Sequence, residues 1–397
     1  MIPLTLLVED AAPGLEVTVV IPCLNEEKTV GECVAAAVTT MRAAGLSGEV
    51  IVADNGSRDA SRERAVAAGA RIVSVARRGY GSALMAGIMA ARGRFVIMGD
   101  ADASYDFSEV PRFIAKLREG FDLVQGCRLP RGGGTVAPGA MPWSHRWIGN
   151  PALSLLARIF FHTGLHDIYC GMRGFTKEFF VRMEQRCTGM EFATEMIIKA
   201  SLHRARLAEI PITLHRDGRD GTGSHLRTFN DGWRTLRLFL LYSPRWLHLI
   251  PSLALLALGG IAGLFAWLGV KIGPATLGPH TLLVAVVLVL LGYQGLMLAL
   301  YARTLAWREN LAPASPFLEK FYRVFTLERA LVLSLLACIA GGLMIGAVFW
   351  TWRGLHYGEL PYDITLRRVV PGLLLIALAA QTFFGSFVIS LASLERK

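Results

Sequence analysis

Hydrophobic and polar positions divide the chain into two regions of different pattern. Across residues 1–240, short apolar runs alternate with amphipathic segments, which is typical of β-strands alternating with α-helices. Beyond residue 247 the apolar positions form four long stretches, at roughly 248–270, 281–301, 330–350 and 370–391. Each stretch has the ~20 residues that a helix needs to cross a bilayer. The pattern therefore predicts an α/β domain followed by an all-α transmembrane domain of two helical hairpins.

The order of elements in the first region predicts the class of its sheet. Buried strands are expected at 17–21, 49–53, 71–75, 94–98, 123–126 and 207–213, and helices follow most of them. Strands and helices that alternate in this way form a mostly parallel, Rossmann-like sheet with helices on both faces. The glycine-rich, basic stretch 131–141 is too polar for a core and is predicted to be a mobile lid.

Two acids follow the strand that ends at Met98. Asp100 and Asp102 flank Ala101, and two carboxylates held so close together repel each other. A divalent cation removes that repulsion, because Mg²⁺ and Mn²⁺ take oxygen ligands and commonly bridge carboxylates to substrate phosphates. Alone, such a pair is more often a solvated loop before a helix. The polar residues at the neighbouring strand ends favour the metal site instead.

Polar side chains also follow the other predicted strands. Asn25 and Glu26 come after the first strand, Asp54 and Asn55 end the second, and a turn at Gly79 leads from the third into a helix. Open α/β sheets bind ligands at the carboxyl ends of their strands, where these residues would meet. The first turn lacks the G-x-G-x-x-G pattern, which counts against a nicotinamide or flavin enzyme.

Composition and charge narrow the choice of partner. The chain is 53% hydrophobic and carries a formal net charge of +10, but no basic run is interleaved with aromatic residues. We therefore expect an anionic membrane surface as the partner of this charge and expect no nucleic acid. The six cysteines are scattered without a C-x-x-C pair, which fits a reducing cytoplasm and suggests neither disulfides nor a zinc site.

The charge pattern also predicts boundaries and orientation. We expect a domain over 1–230, an amphipathic helix in the membrane interface over 231–247, and four membrane helices over 248–397. The alternative for 231–247 is an ordinary surface helix packed on the domain. The positive-inside rule puts the first domain in the cytoplasm, at an inner or plasma membrane, although Arg353, Arg367 and Arg368 run against it. The cations that favour this orientation lie between the second and third apolar stretches: Arg303, Arg308, Lys320, Arg323 and Arg329.

Motifs in residues 17–245 resemble those of a known family. Pro22-x-x-Asn25-Glu26, Asp54-Asn-Gly-Ser-Arg-Asp59, Gly79-x-Gly81-Ser-Ala, Asp100-Ala-Asp102 and Gly126-Cys-Arg128 have the order and spacing of family 2 glycosyltransferases of the GT-A fold. Asp167…Gly171-x-Arg173-Gly-Phe and Arg216…Ser224-His225-Leu226-Arg227 resemble the polyprenyl- or dolichyl-phosphate hexose synthase branch. Several ordered motifs together are far more specific than any one alone.

The resemblance implies an inverting transfer of a hexose from a nucleotide sugar to a polyprenyl phosphate. It implies that Asp100 and Asp102 hold Mg²⁺ or Mn²⁺ and act in catalysis together with Arg128, and Glu191 is a candidate for contact with the sugar. It implies a nucleotide-sugar site formed by Pro22, Asn25, Glu26, Asp54, Asn55, Gly79, Asp100, Ala101 and Asp102. It implies a lipid-phosphate site formed by Arg128, Arg146, Arg173, Arg216, Arg219, Ser224, His225 and Arg227.

The sequence departs from the family pattern at two positions, and it leaves alternatives for the donor and for the function. Asn55 stands where many relatives have a second Asp, and His225 stands where relatives often have Lys, so one phosphate contact is expected to be weaker or pH-dependent. The Asp54 carboxylate suits the ring N–H of uracil or of guanine and does not choose between them. UDP-glucose is favoured as donor over GDP-mannose because the motifs more closely resemble those of glucosyl-phospholipid synthases. A processive polysaccharide synthase and a lipid-linked sugar transporter are the competing functions. The sequence also leaves homo-oligomers open.

Overall fold

The computed structural model describes residues 14–218, 228–309, 311 and 316–393. Contacts between Cα atoms divide the chain into two units, with the boundary between Phe239 and Leu240. The first unit contains the α/β domain and the second contains the long apolar helices, so each is considered separately.

A seven-stranded sheet forms the centre of the first unit, in the order β3-β2-β1-β4-β7-β5-β8. Neighbouring strands run parallel, except that β7 is antiparallel to both β4 and β5. The central strands are buried on both faces, which explains their largely apolar sequence. The strands are β1 (Val17–Cys23), β2 (Gly48–Asp54), β3 (Arg71–Ser74), β4 (Phe95–Met98), β5 (Leu123–Cys127), β7 (Arg173–Thr176) and β8 (Leu207–Pro211).

Helices alternate with these strands along the chain. They are α1 (Val30–Ala43), α2 (Ser61–Ala67), α3 (Tyr80–Ala90), α4 (Val110–Arg118), α5 (Asn150–Phe161), α6 (Lys177–Met183), α7 (Phe192–Leu202) and α8 (Thr228–Tyr242). The apolar face of α4 illustrates why they form, since Val110, Phe113, Ile114 and Leu117 recur at helical spacing and are all buried. The predicted mostly parallel α/β sheet is confirmed.

The glycine-rich stretch 131–141 differs from the predicted mobile lid. Its short strand β6 (Thr135–Val136) pairs in parallel with β9 (Thr213–Leu214), and Val136 is buried in the core. The backbone N–H of Thr135 donates to the Ile212 carbonyl at 3.0 Å. A stretch of mixed polarity is therefore held by backbone pairing that hydrophobic periodicity does not reveal.

Helix α8 packs on α5 within the first unit. The Phe239 ring is fully buried and lies 6.2 Å from the Phe160 ring and 5.5 Å from the Phe161 ring, centroid to centroid. The Trp233 side chain on the same helix is 56% exposed. The helix therefore combines a packed face, as in an ordinary surface helix, with the exposed tryptophan of an interfacial one.

In the part of the second unit that the structure describes, four helices are long and apolar enough to cross a membrane, as predicted. They are α9 (Ile250–Leu268), α10 (Pro279–Arg308), α12 (Leu327–Gly354) and α13 (Tyr362–Ser393), with the short α11 (Pro316–Val324) between the two hairpins. Small residues let the paired helices approach closely, because a Cβ on Gly341 would lie 2.5 Å from the Gly372 carbonyl oxygen. Gly259 faces Ala285 of α10 in the same way.

Candidate active site

Asp100 lies just beyond the carboxyl end of β4, and its orientation is fixed by a tyrosine. The Tyr80 hydroxyl donates to Asp100 Oδ1 at 2.8 Å. Desolvation, with the nearby Asp100 carboxylate, raises the pKa of Tyr80, so its proton stays available for this hydrogen bond. On the other side, a Cβ at Gly171 would lie 2.6 Å from Asp100 Oδ2. Sequence reasoning missed Tyr80, although its place at the start of α3 after Gly79 was a usable signal.

Asp102 is held by a tight turn that follows β4. Its Oδ1 accepts hydrogen bonds from the backbone N–H of Ser104 at 3.0 Å and from Ser104 Oγ at 2.6 Å. The next residue, Ala103, has a left-handed φ of 60°. Ala101, between the two acids, is almost completely buried, so its side chain faces the core rather than a ligand.

The two acids offer oxygen ligands for a divalent cation. Among the described residues, no group of three or more His, Cys, Asp or Glu side chains converges on one point. A cation held here would therefore complete its shell with substrate phosphate oxygens and water, which suits Mg²⁺ or Mn²⁺. The chemistry of this donor set fits the predicted ion.

The ends of β1 and β2 are tied together by short polar contacts. Asn25 adopts a left-handed φ of 57°, and its Oδ1 accepts from the Arg58 N–H at 2.9 Å. The buried Asp54 carboxylate accepts from the N–H groups of Gly56 and Ser57 at 3.3 and 3.1 Å.

Pro22 lies within β1, paired in register with Ala53. The buried Glu26 backbone N–H donates to Ser61 Oγ at 2.8 Å. The predicted donor-side residues of these two strands therefore lie together.

The Asn55 side chain binds backbone groups of a loop, whereas the sequence predicted that it contacts the nucleotide. Its Nδ2 donates to the carbonyls of Val75 and Arg77 at 3.2 and 2.8 Å, and its Oδ1 accepts from the Gly79 N–H at 2.7 Å. The side-chain amide is thereby committed to holding the loop that leads into α3. Its partners lie 20 to 24 residues away along the chain, so no local pattern in the sequence indicates them.

The Asn55→Asp variant tests this use. A carboxylate cannot donate, so the carbonyls of Val75 and Arg77 would lose their partner and face a negative charge. We expect the free energy of unfolding to fall by about 1–3 kcal/mol. Denaturant titration of the full chain in detergent measures this, with the exposed Asp106→Asn as the matched control. An unchanged stability would show that the amide does not hold the loop.

A second loop packs on the glycine turn before α3. Gly79 has a φ of 134°, and a Cβ there would lie 2.3 Å from the Thr188 carbonyl oxygen. A buried ion pair on α7 supports that loop. In this pair, Lys199 Nζ lies 3.0 Å from Glu195 Oε1. Glu195 Oε2 also accepts from the Cys187 N–H at 2.7 Å. The glycine is therefore required both by its φ and by this close approach.

Glu191, the predicted sugar contact, lies where this loop enters α7. Its Oε1 is 3.7 Å from Arg234 Nε on α8, and its side chain is partly exposed. It is therefore accessible, although an arginine from another element already lies close to it.

Arg128 directly follows the end of β5, and its guanidinium is paired with the buried carboxylate of Asp167. Its Nε and Nη2 lie 2.8 and 3.0 Å from the two oxygens of Asp167, and its backbone N–H donates to the same carboxylate at 3.1 Å. The Asp167 charge helps to raise the pKa of Arg128 despite desolvation. Glu209 fixes the Asp167 loop by accepting from the backbone N–H of Asp167 at 3.0 Å.

Arg173 does not reach a lipid phosphate, contrary to the prediction. Its side chain is completely buried, and its guanidinium donates to the carbonyls of Ala193 and Cys170 at 2.7 and 2.8 Å. Desolvation lowers its pKa. The guanidinium therefore ties β7 to α7 from inside the core.

The segment after β9 lies against the turn that carries Asp102. The His215 N–H donates to the Ser104 carbonyl at 2.9 Å, and the Gly218 N–H donates to the Asp102 carbonyl at 2.8 Å. Between them, the exposed Arg216 donates from Nε to the Pro138 carbonyl at 2.6 Å. The backbone thus brings a predicted phosphate-binding arginine into the segment beside the acids.

The remaining predicted lipid-side residues are separate from this segment or not described. Arg146 lies in the turn before α5, with its guanidinium 5.2 Å from the centroid of the Trp147 ring. Arg219, Ser224, His225 and Arg227 lie outside the described residues.

Comparison with known families and proteins agrees with this arrangement. Residues 18–183 match the glycosyl transferase family 2 domain, and residues 300–393 match the glycosyltransferase family 2 C-terminal transmembrane region. The low-salt glycan biosynthesis hexosyltransferase Agl6 of Haloferax volcanii is 34% identical over 382 residues, 96% of this chain and 89% of Agl6. The undecaprenyl-phosphate 4-deoxy-4-formamido-L-arabinose transferase of Salmonella paratyphi B is 30% identical over 261 residues, 64% of this chain and 76% of that protein.

A solved structure is also similar to part of this chain. Glucosyl-3-phosphoglycerate synthase from Mycobacterium tuberculosis, crystallised with Mn²⁺, UDP and glucosyl-3-phosphoglycerate, is 24% identical. It aligns with a TM-score of 0.44 over 59% of this chain and 80% of its own.

The fold and the matched domains define a membrane glycosyltransferase, with a GT-A catalytic domain and four apolar helices. The chain belongs to glycosyltransferase family 2, as its motifs predicted.

Proposed function

We propose that this glycosyltransferase transfers one hexose from a nucleoside diphosphate sugar to a polyprenyl phosphate, with inversion at the anomeric carbon. The observation that carries the proposal is the backbone contact between the turn of Asp102 and the segment of Arg216. It supports the proposal because the acids that would hold a metal for the donor diphosphate and the arginine that would bind the acceptor phosphate belong to segments in contact. The name of the Salmonella relative, an undecaprenyl-phosphate transferase, supports this acceptor class.

On the donor side, Asp54 would recognise the base and the two later acids would hold the metal. Each Asp54 oxygen accepts one backbone N–H and keeps a further lone pair, which suits the ring N–H of uracil or guanine. Asp100 and Asp102 would hold Mg²⁺ or Mn²⁺, which when bound neutralises the departing nucleoside diphosphate. We propose UDP-glucose as the donor, with GDP-mannose as the second choice.

On the acceptor side, the phosphate is itself the nucleophile. Its second pKa is about 6, so it is already anionic near neutral pH and needs no dedicated general base. The harder problem is the repulsion between acceptor phosphate and donor diphosphate. Arg216 and the basic residues that follow it would reduce this repulsion, and Arg128 is held in place for the same purpose by Asp167.

The first unit also exposes tryptophan side chains of the kind found at membrane interfaces. Trp143, Trp147 and Trp233 are 68%, 52% and 56% exposed, and tryptophan is enriched at the level of lipid headgroups. We therefore retain the proposed division into a cytoplasmic domain over 1–230, an interfacial helix over 231–247 and a membrane domain over 248–397. The cations between the second and third apolar stretches, from Arg303 to Arg329, support this orientation at an inner or plasma membrane.

A donor panel tests the proposal. The full chain, reconstituted in vesicles with undecaprenyl phosphate and Mg²⁺ or Mn²⁺, is incubated separately with labelled UDP-glucose and GDP-mannose. We expect label in the lipid extract from UDP-glucose, and only when undecaprenyl phosphate is present. Label from GDP-mannose alone would overturn the donor assignment, and no labelled lipid from any nucleotide sugar would overturn the function.

A further inference from the structure

The second unit contains an open cavity that hexose transfer does not explain. It has a volume of about 430 Å³ and lies where α10 and α13 end and α12 begins. Helix α10 has 30 residues, which at 1.5 Å per residue exceeds the ~30 Å thickness of the hydrocarbon core. The cavity near its last turn is therefore expected at the level of the lipid headgroups. Its lining is Trp307, Glu319, Tyr322, Phe325, Thr326, Leu327, Ser386, Ile389 and Ser390.

Helix α11 is fixed as one wall of this cavity. Leu318 is buried among Met297, Leu300 and Ile389 of the neighbouring spans. The Tyr322 hydroxyl forms a hydrogen bond with Thr304 Oγ1 of α10. The Trp307 and Tyr322 rings stack with centroids 6.5 Å apart and planes 29° apart. The cavity is thus a formed feature with an aromatic wall rather than a gap beside a loose helix.

Charged side chains of both signs lie on α11: Glu319 lines the cavity, and Lys320 and Arg323 lie beside its lining. Glu319 and Tyr322 line the cavity one turn apart on α11, while Lys320 and Arg323 form the adjoining stripe, also one turn apart. Glu319, Lys320 and Arg323 are exposed, and none of them forms an ion pair with another residue in the described part of the chain. A carboxylate and two cations thus lie side by side and are available to a ligand.

We propose that this cavity binds the headgroup region of an aminophospholipid such as phosphatidylethanolamine. Lys320 and Arg323 would bind the lipid phosphate through charge-assisted hydrogen bonds. Glu319 would accept from the primary ammonium, which the faces of Trp307 and Tyr322 would also attract. A purely anionic lipid would place no cation beside Glu319, and a choline headgroup has no N–H to donate. The charge pattern therefore favours a headgroup that carries both a phosphate and an ammonium.

The experiment uses a phosphatidylethanolamine with a photoreactive group near its headgroup, incorporated into vesicles that contain the full chain. After irradiation, we expect peptides that contain Trp307, Tyr322 or Ser390 to carry most of the label. Unlabelled phosphatidylethanolamine should compete about tenfold better than phosphatidylcholine or phosphatidylglycerol with the same acyl chains, because hydrogen bonds to charged groups are lost with either.

Three variants separate the contacts. Glu319→Gln should abolish the preference for phosphatidylethanolamine over phosphatidylglycerol, and Lys320→Gln with Arg323→Gln should lower labelling about tenfold. Lys271→Gln, an exposed cation in the β10 strand (Lys271–Ile272) of the same unit, should change neither. Equal competition by all three lipids, label spread evenly over the spans, or wild-type labelling in the variants would overturn the proposal. None of these outcomes depends on glycosyltransferase activity.

Discussion

The Asp102→Asn variant is expected to lose about 10³-fold in kcat while still inserting into the membrane. An amide keeps an oxygen that can accept from Ser104, so the turn can persist, but the anionic metal ligand is lost. Lewis-acid stabilisation of a leaving diphosphate contributes several kcal/mol, and each 1.36 kcal/mol corresponds to about tenfold in rate. Release of the nucleoside diphosphate by the reconstituted chain measures the loss.

The Asp106→Asn variant is the matched control for this prediction. Asp106 lies four residues further on, and its Oδ1 accepts from the Ser108 N–H at 2.8 Å as a helix cap. An asparagine also caps helices well, so activity should stay within about twofold of wild type. An Asp102→Asn variant that turns over at a similar rate to this control would remove the metal from the account.

The Asp167→Asn variant is expected to lower the free energy of unfolding by about 3–5 kcal/mol, because it leaves the buried Arg128 guanidinium without its counter-ion. Asp167 is completely buried and accepts both the Nε and the Nη2 of Arg128. Denaturant titration of the full chain in detergent measures the loss. Transfer should fall as well, since the arginine would no longer be held.

Two further variants make the Asp167 prediction specific. Glu119→Gln removes a carboxylate from an exposed pair with Lys116 and should cost far less. Adding Arg128→Met to Asp167→Asn should restore part of the stability, since no unpaired charge remains buried. A loss at Asp167→Asn no larger than that at Glu119→Gln would contradict a buried, coupled pair.

Much of the fold could be read from the sequence because its strong signals are local. Strand β1 is a largely apolar run that ends in a polar turn, and the four spans exceed what any buried soluble helix needs. Strand β7 was harder to predict from the sequence, because Arg173–Thr176 is short and begins with a charged residue. Its antiparallel insertion between β4 and β5 depends on contacts that no period in the sequence encodes.

The candidate site was predictable where the chemistry lies in a motif, and less so where it depends on distant partners. Asp100 and Asp102 stand at a strand end, as their spacing indicates. Asn55 and Arg173 were assigned to ligands, but the Asn55 amide holds the loop before α3 and the Arg173 guanidinium ties β7 to α7. Tyr80 occupies the variable position of the Gly79-x-Gly81 motif, so it was not singled out, yet its hydroxyl orients Asp100.

The central claim is that one hexose passes from a nucleotide sugar to a single polyprenyl phosphate. Mass spectrometry of the lipid extract, taken together with the nucleoside diphosphate released by the reconstituted chain, tests it most directly. We predict one hexose on each modified lipid, one nucleoside diphosphate released for each, and no release without polyprenyl phosphate. Lipids that carry several hexoses, or release that does not depend on the lipid, would contradict the account.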